Sequence, residues 1–163
     1  MSAVLAPRPQ PPAPVQEFEA SSRVLALVRD TALFLGASQE QAKDASRTGT
    51  IALESRTIAL VPDVDEEALI MAAPLLADCL DDPARRVAAL QASTQLMLSL
   101  GAVFARGFAG PQLLCRCPLG NASAEVVARH ILQLAALANA VQAGVPCAAP
   151  EASGGHKERT HAQ

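Results

Sequence analysis

The sequence predicts an α+β fold, one twisted antiparallel sheet flanked by helices. Three observations carry that prediction. Capped segments with helical periodicity open, interrupt and close the central part of the chain; β-branched and leucine-rich runs fill the spaces between them; and those runs come as a group of three and a group of two instead of alternating singly with helices. The expected order is α-β-β-β-α-β-β-α. With 163 residues, half of them apolar, one domain with a single core is expected. Four Phe and no Trp or Tyr mean that the core must be built from Ala, Leu and Val, without large aromatic anchors.

The first stretch, "APRPQPPAPVQ" (6–16), places five prolines in eight residues and reads as an extended tail, so residues 1–17 are expected to lie outside the fold. Arg8, Pro11 and Pro14 match R-x-x-P-x-x-P, a ligand pattern for SH3-type grooves, but any proline-rich terminus yields such matches. "SSRVLALVRDTALFLG" (21–36) has a Ser N-cap, apolar Val24, Leu27, Val28 and Leu35 at helical spacing, and Gly36 as a stop, which predicts the first helix. "SQEQAKDASRTG" (38–49) reads as a polar connection. The period then changes, and "TIALES" (50–55), "RTIALVP" (56–62) and "ALIMAAPL" (68–75) predict three antiparallel strands, the last after the acidic turn "DVDEE". "DDPARRVAALQASTQLMLSLG" (81–101) has an Asp N-cap, a proline at its first turn and a closing glycine, the clearest helix in the chain. "AVFARGF" (102–108) and "QLLCRCP" (112–118) flank "AGP" and predict a hairpin; "NASAEVVARHILQLAALANAVQAG" (121–144) predicts a long closing helix. The domain is therefore expected over 18–143, with "GVPCAAPEASGGHKERTHAQ" (144–163) as a second, disordered tail.

Motifs that suggest chemistry fail on inspection. Gly107, Gly110 and Gly120 form neither G-x-G-x-x-G nor a P-loop, since no Lys-Ser/Thr follows and the helix begins only after another strand. Cys115 and Cys117 stand two apart in a strand, on one face with Leu113, as core thiols do; a zinc site needs two more ligands, and neither Cys79 nor Cys147 belongs to a paired motif. "DVDEEALIMAAP" imitates a calcium loop but has Ala68 where glycine is required and Pro74 where the bidentate Glu belongs, so it reads as a solvated turn. His130 lies near Val126, Val127 and Leu134 with no evident nucleophile beside it, which makes it a structural histidine. No catalytic, cofactor or metal residues are expected, and no enzyme activity. Seven acids and no Lys or Arg between Thr57 and Ala84 argue against nucleic acid as a partner. No apolar run approaches bilayer-spanning length or a signal peptide, so a cytoplasmic protein without membrane contact is expected, and the sparse cysteines suit a reducing compartment.

The order of elements, with "IALESRTIALVPDVDEEALIMAAPL" as a three-strand meander, "LQASTQLMLSLGAVFARGFAGPQLLCRCPL" as helix then hairpin, and "VARHILQLAALANAVQ" as closing helix, resembles the class I type III secretion chaperones, the Tir-chaperone family, over residues 20–143. The resemblance implies a bacterial cytoplasmic homodimer with a role in virulence. Such chaperones bind the extended N-terminal segment of a secreted effector without ATP of their own and keep it soluble for the secretion apparatus, whose ATPase is a further implied partner. On that reading Val24, Leu27, Val28, Ile51, Leu53, Ile58 and Leu60 line effector grooves, or are ordinary core residues. Leu90, Thr94, Met97, Leu98 and Phe104 are the expected dimer interface, the family's interface being the second helix with the strand after it. The alternative is a regulatory or protein-interaction module of the same fold, resembling the YbjN family, without a secreted client.

Overall fold

A computed structural model describes residues 18–107 and 110–144. The expected N-terminal tail (1–17), residues 145–163 of the expected C-terminal tail, and the tip of the hairpin (108–109) lie outside the described residues. Among those described, helices α1 (Ser22–Phe34), α2 (Gln39–Thr48), α3 (Pro83–Leu100) and α4 (Ala124–Gln142) accompany strands β1 (Thr50–Leu53), β2 (Arg56–Pro62), β3 (Ala68–Pro74), β4 (Ala102–Gly107) and β5 (Gly110–Pro118).

Each helix starts where a side chain relieves its free N–H groups. The Ser21 hydroxyl accepts from the Val24 N–H, the Asp82 carboxylate from the N–H groups of Ala84 and Arg85, and the Ser123 hydroxyl from the Val126 N–H. One expectation is corrected. Residues 38–49 are not a connection but helix α2. Ser38 and Gln41 form a reciprocal capping box, and Gly49, left-handed at φ 65°, closes the helix by donating its N–H to the Ala45 carbonyl. The buried face of α2 is only Ala42 and Ala45, so the apolar stripe that signals a helix is nearly absent from its sequence. The order becomes α-α-β-β-β-α-β-β-α.

The sheet is antiparallel throughout, in the order β1-β2-β3-β5-β4. The three-strand meander and the hairpin are therefore joined by the β3–β5 ladder, with Met71 opposite Cys115 and Ala73 opposite Leu113. The expected acidic turn links β2 and β3. Asp63 accepts from the Ala68 N–H at 3.1 Å, and Glu66, at φ 51°, accepts from the Ser21 N–H at 2.7 Å, tying the turn to the start of α1.

Alternation sends one side of every strand inward: Ile51, Ile58 and Leu60, then Leu69, Met71 and Ala73, then Leu113, Cys115 and Cys117 are buried. Helix α4 crosses β2, β3 and β5 on this face and sinks Val127, Ile131, Leu134 and Ala138 into it. Helix α1 packs on α4 with Val24, Val28, Thr31 and Ala32, the i, i+4, i+7, i+8 stripe of a half-buried helix, and α2 fills the corner between α1 and β1. Thr31, the one buried polar residue described, gives its hydroxyl proton to the Leu27 carbonyl at 2.7 Å and needs no other partner. Arg56 fastens the far end: it donates to the Pro74 carbonyl, to Asn139 Oδ1 at 2.7 Å and to Gln142 Oε1, so the start of β2, the end of β3 and the end of α4 share one cation.

Candidate functional site

The fold covers only one face of its sheet. Because β-strand side chains alternate, Ala59 and Val61 of β2, Ile70 and Ala72 of β3, Val103 of β4 and Leu114 of β5 point to the other face, where no described helix is packed. Val61 is 54% exposed and the rest are half-buried. An antiparallel sheet that turns one face to water normally carries mostly polar residues there; here Thr50, Thr57, Gln112 and Arg116 share the face with a contiguous strip of Ala, Val, Ile and Leu across β2, β3, β5 and β4. Such a surface suits an apolar partner.

Helix α3 adds a second apolar surface. It buries only Ala89 and Leu96 and packs on β4 alone among the sheet strands it touches closely. Leu90, Met97 and Leu98 are 71%, 54% and 79% exposed. With Val87 and Thr94, also exposed, they occupy one side of the helix at spacings of three and four. A groove of about 410 Å³ separates α3 from the hairpin, lined by Leu90, Arg86, Phe104 and Pro111 among others.

The structure divides the residues expected to act. Leu90, Thr94, Met97 and Leu98 lie together on the outer side of α3, and Phe104 is half-buried on β4 beside that helix. Of those expected to line effector grooves, Val24, Val28, Ile51, Ile58 and Leu60 are core side chains beneath α1 and α4. Ile51, Ile58 and Leu60 are removed from the surface because their strand positions share the face that α4 covers, and Val24 and Val28 because they lie on the side of α1 that packs on α4. Leu27 and Leu53 keep partial exposure at the edge of that core. The uncovered positions Val61, Ile70, Val103 and Leu114 were missed. The available signal was the two-sided apolar character of "ALIMAAP" and "IALVP", which exceeds what one layer of helices can bury.

The chemically suggestive groups are packed into the fold. Cys115 gives a weak hydrogen bond to the Leu100 carbonyl at 3.4 Å, and burial, with the neighbouring Cys117 adding to it, pushes its thiol up to about 11. Cys117 is likewise raised by burial, so neither is a ready thiolate. The Nδ1 atom of His130 lies 2.8 Å from the Val126 carbonyl and 4.0 Å from the Cys117 sulfur. Among the described residues no group of three or more His, Cys, Asp or Glu could hold a metal ion, and no helix is long and apolar enough to cross a membrane.

No protein-family model matches the chain, and no curated protein matches it in sequence. Solved structures do. A chain of the HopA1–SchA chaperone–effector complex is 15% identical with a TM-score of 0.56, over 72% of this chain and 91% of that one. This is a fold known from chaperone–effector complexes. A chain of the ExsC–ExsE complex is 18% identical with a TM-score of 0.59, over 78% of this chain and 96% of that one. The resemblance to class I type III secretion chaperones thus holds at the level of the fold, an α+β arrangement around one antiparallel sheet.

Proposed function

We propose that this protein is a type III secretion chaperone: a cytoplasmic homodimer that binds the N-terminal segment of a secreted effector and keeps it soluble and competent for export. The observation that carries the reading is the uncovered apolar face of the sheet, Val61, Ile70, Ala72, Val103 and Leu114, on a fold shared with a chaperone–effector complex. A non-globular client can lay apolar side chains on this face and pair its backbone with the open edge of β1, with Leu53 and Leu27 within reach on the covered side of that edge. Two copies meeting through α3 would bury Leu90, Met97 and Leu98 and double the client track. No step calls for a bound nucleotide, and delivery to the ATPase of the secretion apparatus belongs to the same proposal.

The test is co-purification from a native lysate followed by limited proteolysis of whatever is retained. The expected result is a secreted protein whose N-terminal segment alone is protected and whose retention is lost in Val61→Asp and Ile70→Asp. Retention of a folded cytoplasmic regulator, undiminished by those substitutions, overturns the reading.

A further inference from the structure

On the side of α3 that faces α4 lies a second groove, of about 500 Å³, lined by Cys79, Leu80, Ala88, Ala92, Phe104 and Val141, with Gly144 at its margin. It is open because α3 turns small residues toward it; alanines at 88, 89 and 92 cannot span the gap to Phe104 and Val141. Arg85, Gln91 and Gln95 of α3 complete the lining, and an open groove of this size with an apolar floor and a few polar groups is of the kind that takes a ligand or a chain segment.

What stands next to the groove is this chain's own continuation. Gly144, at φ 75°, turns the backbone as α4 ends, its N–H reaching the Val141 carbonyl at 3.1 Å, and both residues line the groove. The sequence runs on as Val145, Pro146, Cys147, Ala148, Ala149 and Pro150, a small, uncharged apolar run before the polar remainder. Its length fits. The lining extends along α3 from Arg85 to Gln95, about 15 Å at 1.5 Å per residue, and six extended residues reach about 20 Å. Two prolines lower the entropy lost on ordering the run, and its tether holds it at an effective concentration in the millimolar range.

We propose that Val145–Pro150 fills this groove in cis, with Cys147 against Cys79. The segment would wedge α3 from the α4 side and leave its outer side free. This inference does not depend on the chaperone reading.

The two thiols make the test. With the full chain in dilute solution, oxidised glutathione is added: the Cys147 thiolate attacks it and releases one reduced glutathione, then the Cys79 thiolate attacks the mixed disulfide and releases a second. The bond forms only if the Cα atoms come within about 4.4–6.8 Å of each other. The expected product, mapped by digestion and mass spectrometry, is a Cys79–Cys147 disulfide within one chain, formed about tenfold or more faster than in concentrated urea. Cys115 and Cys117 are expected to stay reduced. Ala92→Phe, which fills the groove, should bring the rate down to the urea value with helix content unchanged, and Ala88→Leu serves the same purpose if Ala92→Phe does not fold. A native rate no higher than in urea overturns the proposal, as does a link insensitive to groove filling. So does a link between chains in a mixture of isotopically light and heavy protein, which would make a second copy the occupant.

Discussion

A thiol buried between a strand and a helix reports on the fold through its proton. Cys115, opposite Met71 in the ladder, is held protonated up to about pH 11 by burial, whereas in the unfolded chain it ionises near the ordinary 9.0. Between those values the unfolded state has lost the proton and the folded state retains it, so stability falls as pH rises through this window. Each pH unit there costs about 1.4 kcal/mol. The chain has no Tyr, which leaves the alkaline range comparatively uncluttered. Urea unfolding from pH 8 to 11 should show this decline in wild type and a shallower one in Cys115→Ala. A flat profile in wild type would show that the thiol is not buried as described. The pairing of Cys115 with Cys117 on one inward face was legible in the sequence from their spacing alone, because strand alternation is strict.

Among the elements, α2 shows what patterning misses and capping retains. Its buried face is two alanines, yet Ser38, Gln41 and Gly49 stand at the cap positions of a ten-residue helix. Periodicity of large apolar residues was the wrong signal for a helix that fills a corner; the capping box was the right one. Gly49 also permits a close approach, since a Cβ there would lie 2.6 Å from the Phe18 ring and 2.9 Å from the Leu60 carbonyl oxygen. Gly36, also left-handed at φ 89°, has nothing within 4 Å of that position. Gly36→Ala is therefore expected to cost only backbone strain, about 1–2 kcal/mol, and Gly49→Ala measurably more. Equal losses in chemical denaturation would mean that the Phe18 contact is not maintained. The strands were legible because their β-branched or leucine-rich runs are bounded by turns. Which of their two apolar sides would be covered was not, because that depends on where α4 and α1 come to rest.

Over the whole molecule, apolar surface is distributed unevenly: the covered face of the sheet is closed by three helices, while the other face and α3 remain open. If α3 is the two-fold interface, wild type should sediment as a dimer and Leu98→Glu, which sets two carboxylates near the axis, as a monomer with weakened client binding. A wild type that stays monomeric at tens of micromolar, the range of a weak interface, would count against the dimer. The core of the described residues lies within 18–144, so a chain of residues 17–145, although it would lack the segment proposed for the groove, should still unfold in one cooperative transition. A broad, non-cooperative melt of that shorter chain would place structural contacts in the segments beyond it.

The insertion of β5 between β3 and β4 has a consequence for how the chain acquires its shape. The β1-β2-β3 meander and the α3-β4-β5 unit each close through neighbours in sequence, whereas the β3–β5 ladder must bring them together across a long loop, beginning most economically at its nearest pair, Pro74 and Gln112. Until it closes, each half has an unpaired central edge lined with Met71 and Leu69 or with Leu113 and Cys117, a more adhesive edge than either outer strand of the finished sheet. Zippering from Pro74–Gln112 toward Ala68–Pro118 is thus the slow, non-local event, and the interval before it is when newly made chains are most prone to stick to one another.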